Sequence, residues 1–233
     1  MTLKVKGEGG ANGASVVYHP GLKKYYTVIA GNEIFPLSVF SDKGVLLSSD
    51  TLSAMSDVRG LWYNSKTKTI QGNAYNDGGW FEYKLDAKGI PRSKKILHDG
   101  QYQPDPQCVG SFAADSNRVY FLYDEDIFIY NAVSAEEAGT ISFSDMLFYS
   151  DDDDYDLENY NQYCILFTGL KNRELGFLNV VDRRVELYNL AGDRTAILNL
   201  PEEQELYTAF NVAFANGMFW FFDKSTRTWT GYR

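Results

Sequence analysis

The segments Ile34-Phe35-Pro36-Leu37, Trp80-Phe81-Glu82-Tyr83, Ile127-Phe128-Ile129-Tyr130, Val185-Glu186-Leu187-Tyr188 and Trp229-Thr230-Gly231-Tyr232 decide the fold, because one strand template returns in all five. An apolar residue opens each segment. Three residues later stands Leu37, Tyr83, Tyr130, Tyr188 or Tyr232, so four of the five close on tyrosine. Units repeated every forty to fifty-five residues or so, each built of short β-like runs, cannot bury their faces alone and must stack on one another.

Four strands are legible in each unit. The first strands read ASVVYHP (residues 14–20), VRGLWYN (58–64), CVGSFAAD (108–115), YCILFTGL (163–170) and NVAFANG (211–217). Second strands follow as YYTVIAG, TIQGNAYN, VYFLYDE, ELGFLNVVD and MFWFFD, then the template, then the fourth strands VLLSSD, IPRSKKIL, TISF and RTAILNL. Four antiparallel strands make a propeller blade, and over essentially its whole length the chain resembles the β-propeller superfamily. The resemblance implies an all-β, five-bladed β-propeller of four-stranded antiparallel blades, in a single domain over residues 1–233.

The fifth unit stops at Tyr232-Arg233 inside its third strand, while a spare strand, TLKVKG (2–7), precedes the first unit. An unpaired apolar edge at the seam of a ring is costly, so the N-terminal strand is expected to complete the last blade. Helix signal is confined to residues 201–205, where Pro201 suits a first turn and glutamates sit beside the positive helix end. The motifs behind the resemblance are structural: there is no WD dipeptide, no kelch double glycine and no sialidase box. The resemblance therefore implies a fold and a binding face, and transfers no catalytic residue.

Lys+Arg 22 against Asp+Glu 31 gives 22 − 31 = −9, a charge that repels phosphate backbones, so neither nucleic acid nor an anionic membrane is an expected partner. No apolar run is long enough to span a bilayer. Residues 1–6 lack the apolar stretch of a secretory signal, which leaves the compartment open between the cytoplasm and an exported chain from which a signal was cut. A monomer is expected. Cys108 and Cys164 do not make a disulfide scaffold. Aligning the turns at Asn117 and Asn172 sets Cys164 opposite Val109, so both thiols are expected to be free.

Loops that leave a blade's outer strand share a face with those joining its second and third strands. On that face fall residues 50–57, 98–107, 144–162 and 201–208, together with the acidic turns at Glu33, Asp77, Asp124, Glu125 and Asp182. An acidic, tyrosine-bearing loop face is expected, and function concentrates where insertions do.

Within SDDDDYDLE (150–158), Asp152, Asp154 and Asp156 alternate and Glu158 follows, an oxygen-rich set suited to Ca²⁺. The glycine and twelfth-position glutamate of an EF-type loop are missing, and a solvated acidic loop is the plainer expectation. Rim carboxylates Glu33, Asp57, Asp105 and Asp126 are the acids that glycoside chemistry would need in pairs, though nothing in the sequence pairs them. Tyr102, Tyr155, Tyr160 and Tyr207 are non-repeated loop aromatics able to stack on a ligand. Tyr18, Trp62, Phe112, Phe167 and Phe214 recur near the ends of the inner strands, and recurrence in every blade points to blade packing before ligand stacking. His19 and His98 show neither zinc spacing nor a triad. The expected function is a non-catalytic binding module presenting the acidic face to a glycan or protein partner. The alternative is a glycoside hydrolase or lyase using rim carboxylates, assisted by Ca²⁺ if the acidic loop holds one.

Overall fold

A computed structural model describes residues 1–7, 10–148 and 156–233. The chain opens with β1 (Thr2–Lys4) and then builds blade one from β2 (Gly13–His19), β3 (Lys24–Ile29) and β4 (Leu37–Ser41). Blade two follows as β5 (Val58–Asn64), β6 (Thr69–Ala74), β7 (Trp80–Leu85) and β8 (Pro91–His98). Blade three is β9 (Ser111–Ala113), β10 (Arg118–Tyr123), β11 (Asp126–Asn131) and β12 (Glu137–Ser142). A short helix, α1 (Phe143–Phe148), leads toward blade four, which is β13 (Leu166–Phe167), β14 (Leu175–Asn179), β15 (Arg184–Tyr188) and β16 (Arg194–Asn199). Blade five is β17 (Val212–Ala215), β18 (Met218–Asp223) and β19 (Thr228–Tyr232). Every pairing inside a blade is antiparallel.

The ring closes as the spare strand implied. β1 joins the last sheet in the order β1-β19-β18-β17, with Leu3 opposite Trp229 and Thr2 opposite Thr230. Leu3 and Trp229 are both fully buried. At the inner edge of the same seam Gly13 N donates to Asn211 Oδ1 at 2.8 Å, and Asn211 N donates to the Gly13 carbonyl at 2.9 Å.

Five buried clusters form the core, one at each blade interface. Leu3, Trp220 and Trp229 of blade five meet Val16, Tyr25 and Phe40 of blade one. Tyr26 and Val39 meet Ile70 and Phe81 between blades one and two, and Trp62 and Trp80 meet Phe121 and Tyr130 between two and three. Burying one such large side chain is worth roughly 1.5–3 kcal/mol, so the repeat at once provides the strands and the surfaces that hold them together. Small residues set the spacing at the inner edge. A Cβ on Gly60 would stand 2.6 Å from Gly110 N, and the Asn73 side chain bridges the two blades by accepting from Gly110 N and donating to the Cys108 carbonyl.

Three details correct the sequence reading. In blade one the template lies three residues later than expected, at Leu37-Ser38-Val39-Phe40: Leu37 sits opposite Val28 and Phe40 opposite Tyr25, as Ile127 sits opposite Leu122 and Tyr130 opposite Val119. Ile34 lies outside the strand and is 71% exposed. Blade one's fourth strand is also reduced to a bridge between Phe40 and Leu46, with Leu47 N donating to the Val39 carbonyl. Finally, residues 201–205 form a turn, and the helix is α1. Ser142 Oγ accepts Asp145 N at its start, while Phe143, Met146 and Leu147, at helical spacing, bury one face between blades three and four.

Candidate functional site

The four candidate carboxylates stand on separate segments of the chain. Glu33 is exposed in the turn between β3 and β4. Asp57 is held 2.5 Å from Arg59 Nη1 and accepts Gly31 N at 2.7 Å. Asp105 Oδ1 accepts Gln107 N, shaping the turn into blade three, and Asp126 opens β11 opposite Tyr123 and Ser142. No hydrogen bond or ion pair joins any two of the four among the described residues.

The loop tyrosines also separate. Tyr160 is buried at 4% exposure, where its hydroxyl donates to Glu186 Oε2 at 3.1 Å beside Tyr188, so the ring belongs to the core. Tyr102 is half-buried with its ring edge toward His98, and Tyr207 is half-buried beneath the Lys224 ammonium at 4.2 Å. Tyr155, Asp152 and Asp154 lie outside the described residues. Asp156 Oδ1 accepts Glu158 N, capping a single 3₁₀ turn at Leu157–Asn159, and Glu158 is exposed. No group of three or more metal-ligating side chains gathers among the described residues.

What the inner strands build together is a central cavity. About 270 Å³ in volume, it is lined by residues of all five blades, and no Asp, Glu, His, Lys or Arg is among the described residues that line it. Its mouth lies at the C-terminal ends of the inner strands, on the face opposite the acidic loops. There one register position carries an aromatic in every blade. Tyr18 lies opposite Tyr25, Tyr63 opposite Ile70, Phe112 opposite Val119, Phe167 opposite Leu175 and Phe214 opposite Phe219. All five are half-buried and line the cavity, a collar with one ring from each blade. Four of them were visible as recurrent aromatics. In blade two the collar residue is Tyr63, while Trp62 stacks on Phe112 at 6.4 Å and fills the blade interface.

On the side of the acidic loops, residues outside the cavity lining meet across the ring. In β5 the pairing skips from Val58 to Gly60, which leaves Arg59 as a bulge residue, and a bulge re-aims its side chain. The guanidinium carbon of Arg59 lies 4.6 Å from the Tyr75 ring and 5.5 Å from the ring of Phe210 in blade five, while Nε donates to Gln107 Oε1 at 2.9 Å. Blades two and five are not neighbours, so this contact crosses the ring axis beneath the acidic face. A wider hollow of about 1240 Å³ runs beside the reduced outer edge of blade one, where the exposed pair Lys6–Asp50 spans it at 2.9 Å.

No protein-family model matches this chain, and no curated protein matches it. Among solved structures, a chain in a crystal structure of the mitotic checkpoint complex is similar at a TM-score of 0.46 and 10% identity, over 95% of this chain and 76% of that one. The five-bladed assignment rests on the strand pairing itself.

Proposed function

We propose that this propeller is a non-catalytic binding module that presents its acidic loop face to a glycan or protein partner. The observation that carries the reading is the company the exposed acids keep. Glu33, Asp77, Asp124, Glu125 and Glu202 are exposed on loops of that face, and the exposed rings of Tyr75 and Tyr123 stand on the same loops. Carboxylates beside exposed tyrosines suit hydrogen bonding and stacking on sugar rings, or contact with basic side chains of a partner. Catalysis by paired acids would need two carboxyls brought to one reacting bond.

Among the described residues no helix is long and apolar enough to cross a membrane. The test is a glycan array run beside a panel of chromogenic glycosides, together with titration of a lysine-rich peptide at rising salt. Retention of a glycan without turnover, or peptide binding that weakens as salt rises, supports the module. Turnover of any glycoside abolished by Asp57→Asn or Asp126→Asn would replace it with the enzyme.

A further inference from the structure

We propose a second binding site, on the face opposite the acidic loops: the collared central cavity takes a small, uncharged aromatic molecule of one or two fused rings. The argument begins with the register. A half-buried aromatic at the same pairing position of all five inner strands surrounds one opening, and aromatic rings gain most from other rings set edge-to-face or offset. Interface packing alone does not require those rings to keep an exposed side turned to one shared mouth.

Size and polarity narrow the ligand. A volume of about 270 Å³ lies at the lower end of small-molecule sites, enough for an indole or a phenol. The wall offers no charge to pair with an ionised ligand, and burying an unpaired charge is prohibitive. Its inner serines are already engaged: Ser15 Oγ accepts Leu61 N at 3.2 Å and Ser111 Oγ accepts Phe167 N at 2.7 Å. A sugar ring would have to find partners for several hydroxyls among Tyr18, Tyr63, Asn216 and the backbone of the lining, whereas an indole has a single N–H to place. The Arg59–Phe210 contact crosses the ring on the opposite side, and the collar is the entry we assign to the ligand.

Isothermal titration of the full chain with indole, benzyl alcohol and methyl glucoside tests this, and crystals grown with 5-bromoindole locate the ring by its anomalous signal. Indole is expected to bind with the bromine density inside the collar. Phe214→Leu and Tyr63→Leu, on separate blades and keeping an apolar side chain against the interface clusters, are each expected to weaken binding several-fold at a temperature where the variant stays folded. Absence of indole binding overturns the proposal, as does bromine density elsewhere. So does unchanged affinity in either collar variant at that temperature, or tighter binding of methyl glucoside than of indole.

Discussion

Arg59 of blade two and Phe210 of blade five meet across the ring axis, guanidinium carbon to ring centroid 5.5 Å, although their blades are not neighbours in the ring. The cation is 4% exposed and forks between Asp57 and Gln107. Removing it in Arg59→Ala strands the Asp57 carboxylate and forfeits the ring contact. A fully buried pair broken this way costs about 3–5 kcal/mol. A quarter of the Asp57 side chain remains in water, so we expect about 2 kcal/mol by urea unfolding. Arg59→Lys should recover only part of it, because an ammonium cannot serve both partners in the guanidinium's planar geometry.

Leu3 opposite Trp229 holds the seam. Leu3→Ala empties a fully buried site and should cost roughly 2–4 kcal/mol. Deleting residues 1–4 also removes the bond from Gly231 N to the Met1 carbonyl and should lower the melting temperature by several degrees at least. Calorimetry on both variants checks this, and a truncated chain melting with its parent would refute the closure.

His19 sets a pH dependence. Leu22 N donates to its Nδ1 and Nε2–H donates to the Lys68 carbonyl, so the ring is held neutral in a packed site against Tyr63. Burial, with a smaller contribution from the Lys24 charge, lowers its pKa below the ordinary imidazole value of 6.5. The unfolded chain then binds more protons than the folded one near and below that value, so stability present above pH 6.5 is lost as the pH falls toward the depressed folded pKa. Melting temperatures measured from pH 7.5 to 5 should decline less steeply in His19→Gln than in the parent.

Cys108 and Cys164 are both free, and the Val109–Cys164 bridge sets the two thiols out of register, as the aligned turns implied. Burial pushes both thiols well above the usual range, and Cys108 Sγ donates to the Leu122 carbonyl at 3.3 Å. Thiolate is the reactive form, so Ellman's reagent should find no thiol in the native protein and two in denaturant without reductant.

The blades and their closure were legible because a period-two apolar pattern and a spare strand are properties of composition along the chain. Register was less so. Ile34-Phe35-Pro36-Leu37 and Leu37-Ser38-Val39-Phe40 fit one template, and only packing against Tyr25 selects the second. The bulge at Arg59 was invisible, since nothing in VRGLWYN marks where a ladder skips a residue. Blade one skips Ala14 in the same way, so Val58 matches Gly13 and Tyr63 matches Tyr18; setting Val58 against Ala14 instead is what made Trp62 read as the recurrent aromatic. Among the described candidate acids, Glu33, Asp57 and Asp105 lie in loops and Asp126 opens a strand, and what a loop residue faces has no period to read.

Closure by β1 has a consequence for the order of events during synthesis. Leu3 leaves the ribosome early among the seam residues and its partner Trp229 late, 229 − 3 = 226 positions after it. At about 5–20 residues per second, the first strand waits roughly 11–45 s for its partner. Blades two to four can pair and stack in that interval from their own hairpins, whereas the interface between blades five and one cannot form at all. The nascent ring is therefore an open arc whose two apolar ends await the final strand, and a chaperone acting on this protein would have its work concentrated on those two ends.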